Sequence, residues 1–180
     1  MAIAPDSPRA ARHARLFDLF DTDHNGTIDE ADFATIERRC AEFASAAPND
    51  PAEVAHAARL RMIQFRKADA DNDRRITRAE WAAYCAREFA EAGLSADAES
   101  FARSFFRTLD VDRDQAIDFG DYAQAHLAHG LNPTLQELDA AFRAFDANKS
   151  GKVSFAEFLA VYRRYCASDD AGVPTLLVGG

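Results

Sequence analysis

Acidic and amide side chains recur at fixed offsets in this chain, in a pattern typical of an oxygen-lined cation site. In the stretch DADNDRRITRAEW, the carboxylates of Asp69, Asp71 and Asp73 stand at alternate positions, and Glu80 follows seven residues after the last of them. A hard divalent cation such as Ca²⁺ takes about six to eight oxygen ligands, which carboxylates spaced in this way along one loop can supply. We therefore expect this stretch to wrap one such ion.

The same pattern occurs four times, which predicts four copies of one structural unit. Each copy opens with Phe and has Asp four residues later. Counting from that Asp, an aliphatic residue is eighth, an acidic residue is twelfth, and an aromatic residue follows directly. The copies read FDLFDTDHNGTIDEADF, FRKADADNDRRITRAEW, FRTLDVDRDQAIDFGDY and FRAFDANKSGKVSFAEF. The four loops therefore span residues 21–32, 69–80, 110–121 and 146–157.

Helices are expected on both sides of each loop, and they must hold it in place. Ser7 before Pro8, and Thr134 three residues before Glu137, are typical of helix N-termini, and Asp50 stands in the same place before a third helix. Each unit is thus predicted to be a helix, a twelve-residue loop and a second helix.

This helix–loop–helix unit resembles the EF-hand, which binds calcium. In that unit, oxygens at loop positions 1, 3 and 5, a backbone carbonyl at 7, a side chain or water at 9 and a carboxylate at 12 surround the ion. Applied to the first two loops, the resemblance predicts as ligands Asp21, Asp23, Asn25, Thr27, Asp29 and Asp32, then Asp69, Asp71, Asp73, Arg75, Thr77 and Glu80. For the other two it predicts Asp110, Asp112, Asp114, Ala116, Asp118 and Asp121, then Asp146, Asn148, Ser150, Lys152, Ser154 and Glu157. Arg75, Ala116 and Lys152 would contribute only their backbone oxygens.

The sixth loop position distinguishes the outer loops from the inner ones. Gly26 and Gly151 occupy it in loops one and four, whereas Arg74 and Gln115 occupy it in loops two and three. The bend at this position requires φ > 0, where a side chain costs about 1 kcal/mol, or roughly fivefold in affinity. We therefore expect loop two to be a weakened site rather than a lost one, and the occupancy of loops two and three stays open.

The twelfth position divides the loops differently. Glu80 and Glu157 can bind Ca²⁺ through both oxygens, whereas the shorter Asp32 and Asp121 favour single-oxygen binding in a tighter shell that also suits Mg²⁺. Loops one and three are therefore predicted to discriminate poorly between the two ions.

The arrangement of the four units indicates an all-α protein of two lobes. EF-hands pair through their eighth residues, so we expect an N-terminal pair in residues 1–92 and a C-terminal pair with a tail in residues 93–180. The boundary would fall near EAGLSADAES, where Gly93 would end one helix and Ser95 would cap the next. Successive loops begin 48, 41 and 36 residues apart. This spacing and the chain length resemble the sarcoplasmic calcium-binding proteins and the related calerythrin, which implies two lobes packed into one compact body, with one loop, often the second, inactive.

Composition and charge exclude several classes of partner. The formal net charge is −9, which argues against nucleic acid because phosphate binding needs a surplus of Lys and Arg. No apolar run approaches the roughly 18 residues expected of a membrane span, so we predict a cytoplasmic monomer with no membrane partner.

Cys40, Cys85 and Cys166 are expected to be buried or half-buried free thiols. His126 and His129 predict a surface pair at a helix end rather than a zinc site.

Two functions fit these observations, and no catalytic constellation suggests an enzyme. The first is a calcium buffer, which is favoured because a sensor groove is typically rich in methionine and this chain has only Met1 and Met62. The alternative is a calcium sensor that exposes an apolar surface to a protein target, with Leu176, Leu177 and Val178 as a displaceable plug. Permanent packing or fraying of the tail is the simpler expectation. Calcium binding should stabilise the fold, because clustered carboxylates repel one another without an ion.

Overall fold

The computed structural model describes residues 7–43, 51–89 and 94–177. Within these ranges the chain forms helices and only very short strands, which confirms the all-α prediction. The helices are α1 (Pro8–Phe20), α2 (Glu30–Phe43), α3 (Pro51–Phe65), α4 (Arg78–Glu88), α5 (Ala96–Leu109), α6 (Phe119–Ala128), α7 (Leu135–Phe145) and α8 (Phe155–Ala167). The strands are β1 (Thr27–Ile28), β2 (Ile76–Thr77), β3 (Ile117–Asp118) and β4 (Lys152–Val153).

The strands join the loops in pairs, as expected. β1 pairs antiparallel with β2, which places Ile28 opposite Ile76. β3 pairs with β4 in the same way, which places Ile117 opposite Val153. All four are eighth loop residues, and all are buried, because their aliphatic side chains point from the strands into the core beneath the loops. We call loops one and two the first pair, and loops three and four the second pair.

The predicted helix N-caps form where the described residues include them. Ser7 accepts a hydrogen bond from the Ala10 N–H at 3.1 Å, and Thr134 forms a capping box with Glu137. Ser95 caps α5. Asp50 and Gly93 lie outside the described residues, and α4 ends at Glu88. These caps fix where each helix begins and therefore the direction in which it enters its loop.

The two pairs share one aromatic core. Phe65 and Trp81 from the first pair contact Phe101 of α5, with ring centroids 4.5 and 5.7 Å apart respectively. Phe20 contacts Phe105 at 5.4 Å. All of these residues are buried. Because rings of one pair pack directly on rings of the other, the apolar face of each pair is covered by its neighbour.

Side chains of α1 bind the C-terminal end of α8 and strengthen this junction. Arg12 donates from Nε to the Tyr165 carbonyl at 2.8 Å, from Nη1 to Asp170 O at 3.0 Å, and from Nη2 to the Ser168 carbonyl. His13 Nε2 lies 2.8 Å from Cys166 O. The last carbonyls of a helix have no partners within it, so these contacts satisfy groups that would otherwise be unpaired. We call them the α1–α8 junction.

The end of α6 differs from the prediction. His126 and His129 were expected at the surface, but both are buried, so that prediction is wrong. The His129 ring packs against Phe20 and Phe105, with centroids 6.3 and 6.2 Å away. His129 Nδ1 also lies 2.8 Å from Ala125 O. The helix end is buried because it lies against the shared core, which the local sequence does not reveal.

The tail packs onto the body. Val173, Leu176 and Leu177 are buried, and Tyr122 donates its hydroxyl to Leu176 O at 3.1 Å. Val178 lies outside the described residues.

The three cysteines are free thiols, two of them buried and Cys40 partly buried, as expected. No helix in the described ranges combines the length and apolar character needed to cross a membrane.

Candidate metal centre

The first residue of each loop places one carboxylate oxygen against the loop backbone. In every loop its Oδ2 accepts a hydrogen bond from the N–H of position six, at 2.9 to 3.1 Å. In loops one to three the other oxygen, Oδ1 of Asp21, Asp69 and Asp110, is buried and has no hydrogen-bond partner among the described residues. A buried carboxylate oxygen without a partner is costly, and a bound cation would remove that cost. Loop four differs, because Asp146 Oδ1 accepts from the Ser150 N–H at 2.9 Å.

Positions three and five turn the chain through side-chain hydrogen bonds to the backbone. The position-three side chain accepts from the N–H of position five in each loop, at 2.8 to 3.1 Å. The position-five side chain accepts from the N–H of position seven, at 2.7 to 3.3 Å. These turns hold several oxygen-bearing side chains on the inside of one short loop.

The backbone at position six is left-handed in every loop, whichever residue is present. The φ angle is +87° at Gly26 and +82° at Gly151, and it is +69° at Arg74 and +73° at Gln115. The predicted bend is therefore confirmed at all four sites, and two of them carry the strain of a side chain in this region. Arg74 N–H also donates to Asp69 Oδ2 at 3.0 Å, so loop two keeps the shape of the others.

The twelfth residue closes each loop. One carboxylate oxygen accepts from an N–H near the start of the loop, and the other accepts from the N–H of position nine. These distances range from 2.8 to 3.3 Å over the four loops. Thr77, Asp118 and Ser154, at position nine, also cap the outgoing helices, as part of capping boxes with the twelfth residues. The residue that would bind the ion thus also fixes the first turn of the next helix.

The result is three tight groups of carboxylates. One oxygen from each member lies within 4.8 Å of the others in the groups Asp21, Asp23 and Asp32; Asp69, Asp71 and Asp73; and Asp110, Asp112 and Asp121. Loop four has only two carboxylates at its ligand positions, Asp146 and Glu157, and completes its set with the side chains of Asn148, Ser150 and Ser154. All four loops therefore offer an oxygen-only environment, which suits Ca²⁺ or Mg²⁺ rather than zinc.

The two kinds of twelfth residue differ electrostatically. Burial raises the pKa of Asp32 and that of Asp121, and it also raises the pKa of Asp110. A hydrogen bond from the Thr77 backbone lowers the pKa of Glu80, and one from the Ser154 backbone lowers the pKa of Glu157. Carboxylates whose charge is disfavoured by burial gain most from a neighbouring cation, so protons and metal ions compete more strongly in loops one and three.

Two basic side chains near the ligands were missed by reading the loops separately. Lys152 reaches Asp114 of loop three, and Arg78, just after β2, lies beside Asp21 of loop one. The predicted pairing of the loops through their eighth residues was the available signal, since it brings loop two alongside loop one and loop four alongside loop three. Trp81, which directly follows the twelfth residue of loop two, is buried and donates from Nε1 to His13 O at 2.8 Å, so it also contacts the α1–α8 junction.

Comparison with known families and structures agrees with this geometry. Residues 99–163 match the family described as an EF-hand domain pair, and residues 14–36 match the EF hand. Neither match includes loop two, although the φ angle at its sixth position is positive, as it is in the other three loops. The probable calcium-binding protein CML16 of Oryza sativa subsp. japonica is 34% identical over 94 residues, which are 52% of this chain and 51% of the rice protein. The match thus spans about half the length of that relative.

Two solved structures share the architecture over most of their length. A calcium-binding protein of Streptomyces coelicolor, studied for prokaryotic calcium-mediated regulation, is 27% identical, with a TM-score of 0.63 over 87% of this chain and 96% of that chain. A sarcoplasmic calcium-binding protein from amphioxus is 19% identical, with a TM-score of 0.66 over 92% of this chain and 94% of that chain. The resemblance expected from loop spacing is confirmed at the level of the fold.

Proposed function

We propose that this protein, whose residues 14–36 and 99–163 match EF-hand families, binds Ca²⁺ reversibly at its four loops and serves as a calcium buffer. The matched families and the similar structures are calcium-binding proteins and not enzymes. The observation that carries calcium binding is the buried, unpartnered Oδ1 at position one of three loops. The ligands in each loop would be the residues at positions 1, 3, 5, 7, 9 and 12 already named.

The bound ion would act by neutralising charge. Four Ca²⁺ ions carry eight positive charges, against a formal net charge of −9 for the chain. Each ion would relieve repulsion among the carboxylates of its own loop, and its affinity for the folded state adds to the free energy of unfolding. The chain supplies the oxygens, the left-handed bend at position six and the capping residues that hold position twelve.

The buffer role is supported by the shared core. A sensor must expose an apolar face when it binds calcium. Here Phe65, Trp81 and Phe20 of the first pair contact Phe101 and Phe105 of the second. The α1–α8 junction adds hydrogen bonds that would have to break before the pairs could separate. Opening would therefore expose a large aromatic area at considerable cost.

Loops one and three are proposed to accept Mg²⁺ as well as Ca²⁺. The support is the short Asp32 and Asp121 at position twelve, each held within its loop by two or more backbone hydrogen bonds. A calcium titration repeated with and without millimolar magnesium, followed at the amides of Gly26 and Gln115, would reveal the competition. Calcium affinities at these amides that ignore magnesium would contradict this part of the proposal.

A sensor remains the second candidate, for two reasons. Leu135, at the start of α7, is 71% exposed and lines a shallow depression together with Phe119, Gln136 and Asp139. The Streptomyces coelicolor protein, similar over nearly its whole length, is described in terms of calcium-mediated regulation. A protein target would then bind the calcium-loaded form.

A calcium titration with the hydrophobic dye ANS, in constant millimolar magnesium, separates the two roles. For a buffer we expect dye fluorescence to fall or stay constant as calcium is added, because the shared core stays closed. A rise in fluorescence with calcium would mean that apolar surface becomes exposed, and the sensor role would replace the buffer role. A parallel calorimetric titration shows that calcium binds at all, so that a flat dye signal is interpretable.

A further inference from the structure

A lysine of loop four is paired with a candidate ligand of loop three. The Lys152 ammonium forms an ion pair and hydrogen bond with Asp114 Oδ2. The pairing follows from the fold, because β3 and β4 are antiparallel and Asp118 lies opposite Lys152. Both side chains are partly exposed, at 52% and 38% of their full surface.

The oxygen that Lys152 contacts is the one left free by the loop. Asp114 Oδ1 accepts a hydrogen bond from the Ala116 N–H at 2.9 Å. Oδ2 is therefore the oxygen available to a cation, and the lysine ammonium occupies it. Lys152 itself belongs to loop four, where only its backbone carbonyl is a candidate ligand. Its charged group is thus directed at the neighbouring loop.

We propose that Lys152 sets the calcium affinity of loop three by acting as an internal counter-ion. Asp110, Asp112, Asp114, Asp118 and Asp121 give loop three five carboxylates at its ligand positions. The ammonium offsets part of this charge when no metal is bound, and Ca²⁺ must displace it from Asp114 and bind against its repulsion. The inference rests on the proposed function, since it concerns how tightly loop three holds calcium.

The first pair has a related arrangement. Arg78 Nη2 lies 2.5 Å from Asp18 Oδ1 and 4.0 Å from Oδ2 of Asp21, the first residue of loop one. Its guanidinium also lies over the Phe17 ring, 4.6 Å from the centroid. In both pairs, a cationic side chain from the later loop (Arg78 of loop two, Lys152 of loop four) reaches a ligand of the earlier loop. Because Asp21 is the more distant contact of Arg78, we expect a smaller effect on loop one.

The size of the effect follows from the exposure of the pair. Exposed ion pairs contribute only a small free energy to stability. For the pair of Lys152 and Asp114, a free energy of this size corresponds to a change in the calcium affinity of loop three of about two- to fivefold. Screening should shrink the difference at high salt, where the Debye length falls to about 3 Å at 1 M. The lysine also favours the metal-free fold, so its removal should lower the melting temperature in chelator and enlarge the rise produced by calcium.

The test uses the full chain and three variants. Lys152→Met removes the charge and keeps the aliphatic stem, and Lys152→Arg keeps a cation within reach of Asp114. Lys149→Met is the matched control, because it removes the same charge from the same loop, and the Lys149 side chain has no ion pair within the described ranges. Calcium is titrated while NMR follows the amide of Gln115, whose N–H donates to Asp110 Oδ2 in loop three.

We expect the Gln115 midpoint in Lys152→Met to move to about two- to fivefold lower calcium. Lys152→Arg should behave like the unaltered chain, and Lys149→Met should leave the loop-three midpoint unchanged. Equal midpoints in Lys152→Met and the unaltered chain would overturn the inference, as would an equal gain in Lys149→Met. A Gln115 amide that ignores calcium in every protein would instead overturn the proposed function of loop three, and the inference with it.

Discussion

At the scale of single residues, the sixth loop position shows that glycine is favourable but not required. All four loops adopt positive φ there, although two carry Arg74 and Gln115. A Cβ added at Gly26 or at Gly151 would have no atom within 4 Å apart from those of the two adjacent residues. The cost of a side chain at this position is therefore backbone strain alone, without a steric clash.

This allows a quantitative prediction for Gly26→Ala and Gly151→Ala. Each should lower the free energy of unfolding of the calcium-loaded protein by about 1 kcal/mol, or weaken calcium binding by at most about fivefold, because only left-handed strain is added. Urea unfolding in saturating calcium measures the first quantity, and titration followed at the substituted residue's own amide measures the second.

The reverse substitution is the control. Gln115→Gly relieves the same strain, and the change in unfolded-chain entropy has the opposite sign in the two substitutions, so its gain should be similar in size to the loss in Gly26→Ala. Complete loss of calcium binding in Gly26→Ala would mean that the glycine does more than permit the bend.

At the scale of elements, the α1–α8 junction connects the first helix to the last. Arg12 is buried and donates to carbonyls of Tyr165, Ser168 and Asp170. These carbonyls lie at or beyond the end of α8, where the helix supplies no donors. Removing the guanidinium would leave the carbonyl of buried Tyr165 unpaired, which is more costly than losing an exposed ion pair.

We predict that Arg12→Met lowers the free energy of unfolding by about 3 kcal/mol, from two or more charge-assisted hydrogen bonds and the acceptors left behind. The matched control is Arg143→Met, which removes an exposed i,i+4 pair with Asp139 and should cost about 0.5 kcal/mol or less. Urea denaturation of both variants in saturating calcium provides the comparison. A similar small loss in both would show that the junction does not stabilise the fold.

The elements also show what the sequence could and could not predict. The loops, their pairing and the caps at Ser7 and Thr134 were predictable, because each depends on residues close together in the chain. The α1–α8 junction was not, because Arg12 and Tyr165 are 153 residues apart and their contact requires the whole fold. His129 was misplaced for the same reason, since its burial depends on Phe20 and Phe105 from other helices.

For the candidate metal centres, too, contacts within one short segment could be predicted from the sequence, and contacts between distant segments could not. Ligand positions follow from spacing within one loop, so the sequence predicts which side chains would surround an ion. The contact of Lys152 with Asp114 lies between loops that are 36 residues apart at their first positions, and it depends on strand register. The properties of a single loop could therefore be predicted from the sequence, whereas the contacts that arise when two loops pair could be found only in the structure.

At the scale of the whole molecule, one core joins both pairs, and three imidazoles, those of His13, His126 and His129, are buried. Burial, together with nearby His126, Arg61 and Arg39, lowers the pKa of His129 to about 4. Burial likewise lowers the pKa of His13, which packs against Phe89, to about 4. Both imidazoles are therefore neutral in the folded protein at neutral pH, whereas an unfolded histidine has a pKa near 6.5.

These shifts predict a loss of stability in mild acid. Because the folded pKa is the lower one, the unfolded chain takes up the proton first, so stability falls as pH decreases from about 6.5 to about 4 and loses nothing more from this source below that. For His129 alone the loss between pH 7 and pH 5 should be about 2 kcal/mol. The raised pKa values of Asp32 and Asp121 act in the opposite direction, because the folded state then holds protons that the unfolded state releases.

The variant His129→Gln isolates the histidine, because the carboxylates and the other imidazoles are the same in both proteins. Unfolding free energies of the variant and the unaltered chain are measured by urea at pH 7 and pH 5 in saturating calcium. We expect the variant to be less stable at pH 7, since glutamine fits the ring's place imperfectly, but the quantity that matters is the change with pH. We expect that change to be about 2 kcal/mol smaller in the variant. Equal changes in both proteins would mean that His129 titrates normally, and that the helix end opens to solvent far more readily than its contacts with Phe20 and Phe105 imply.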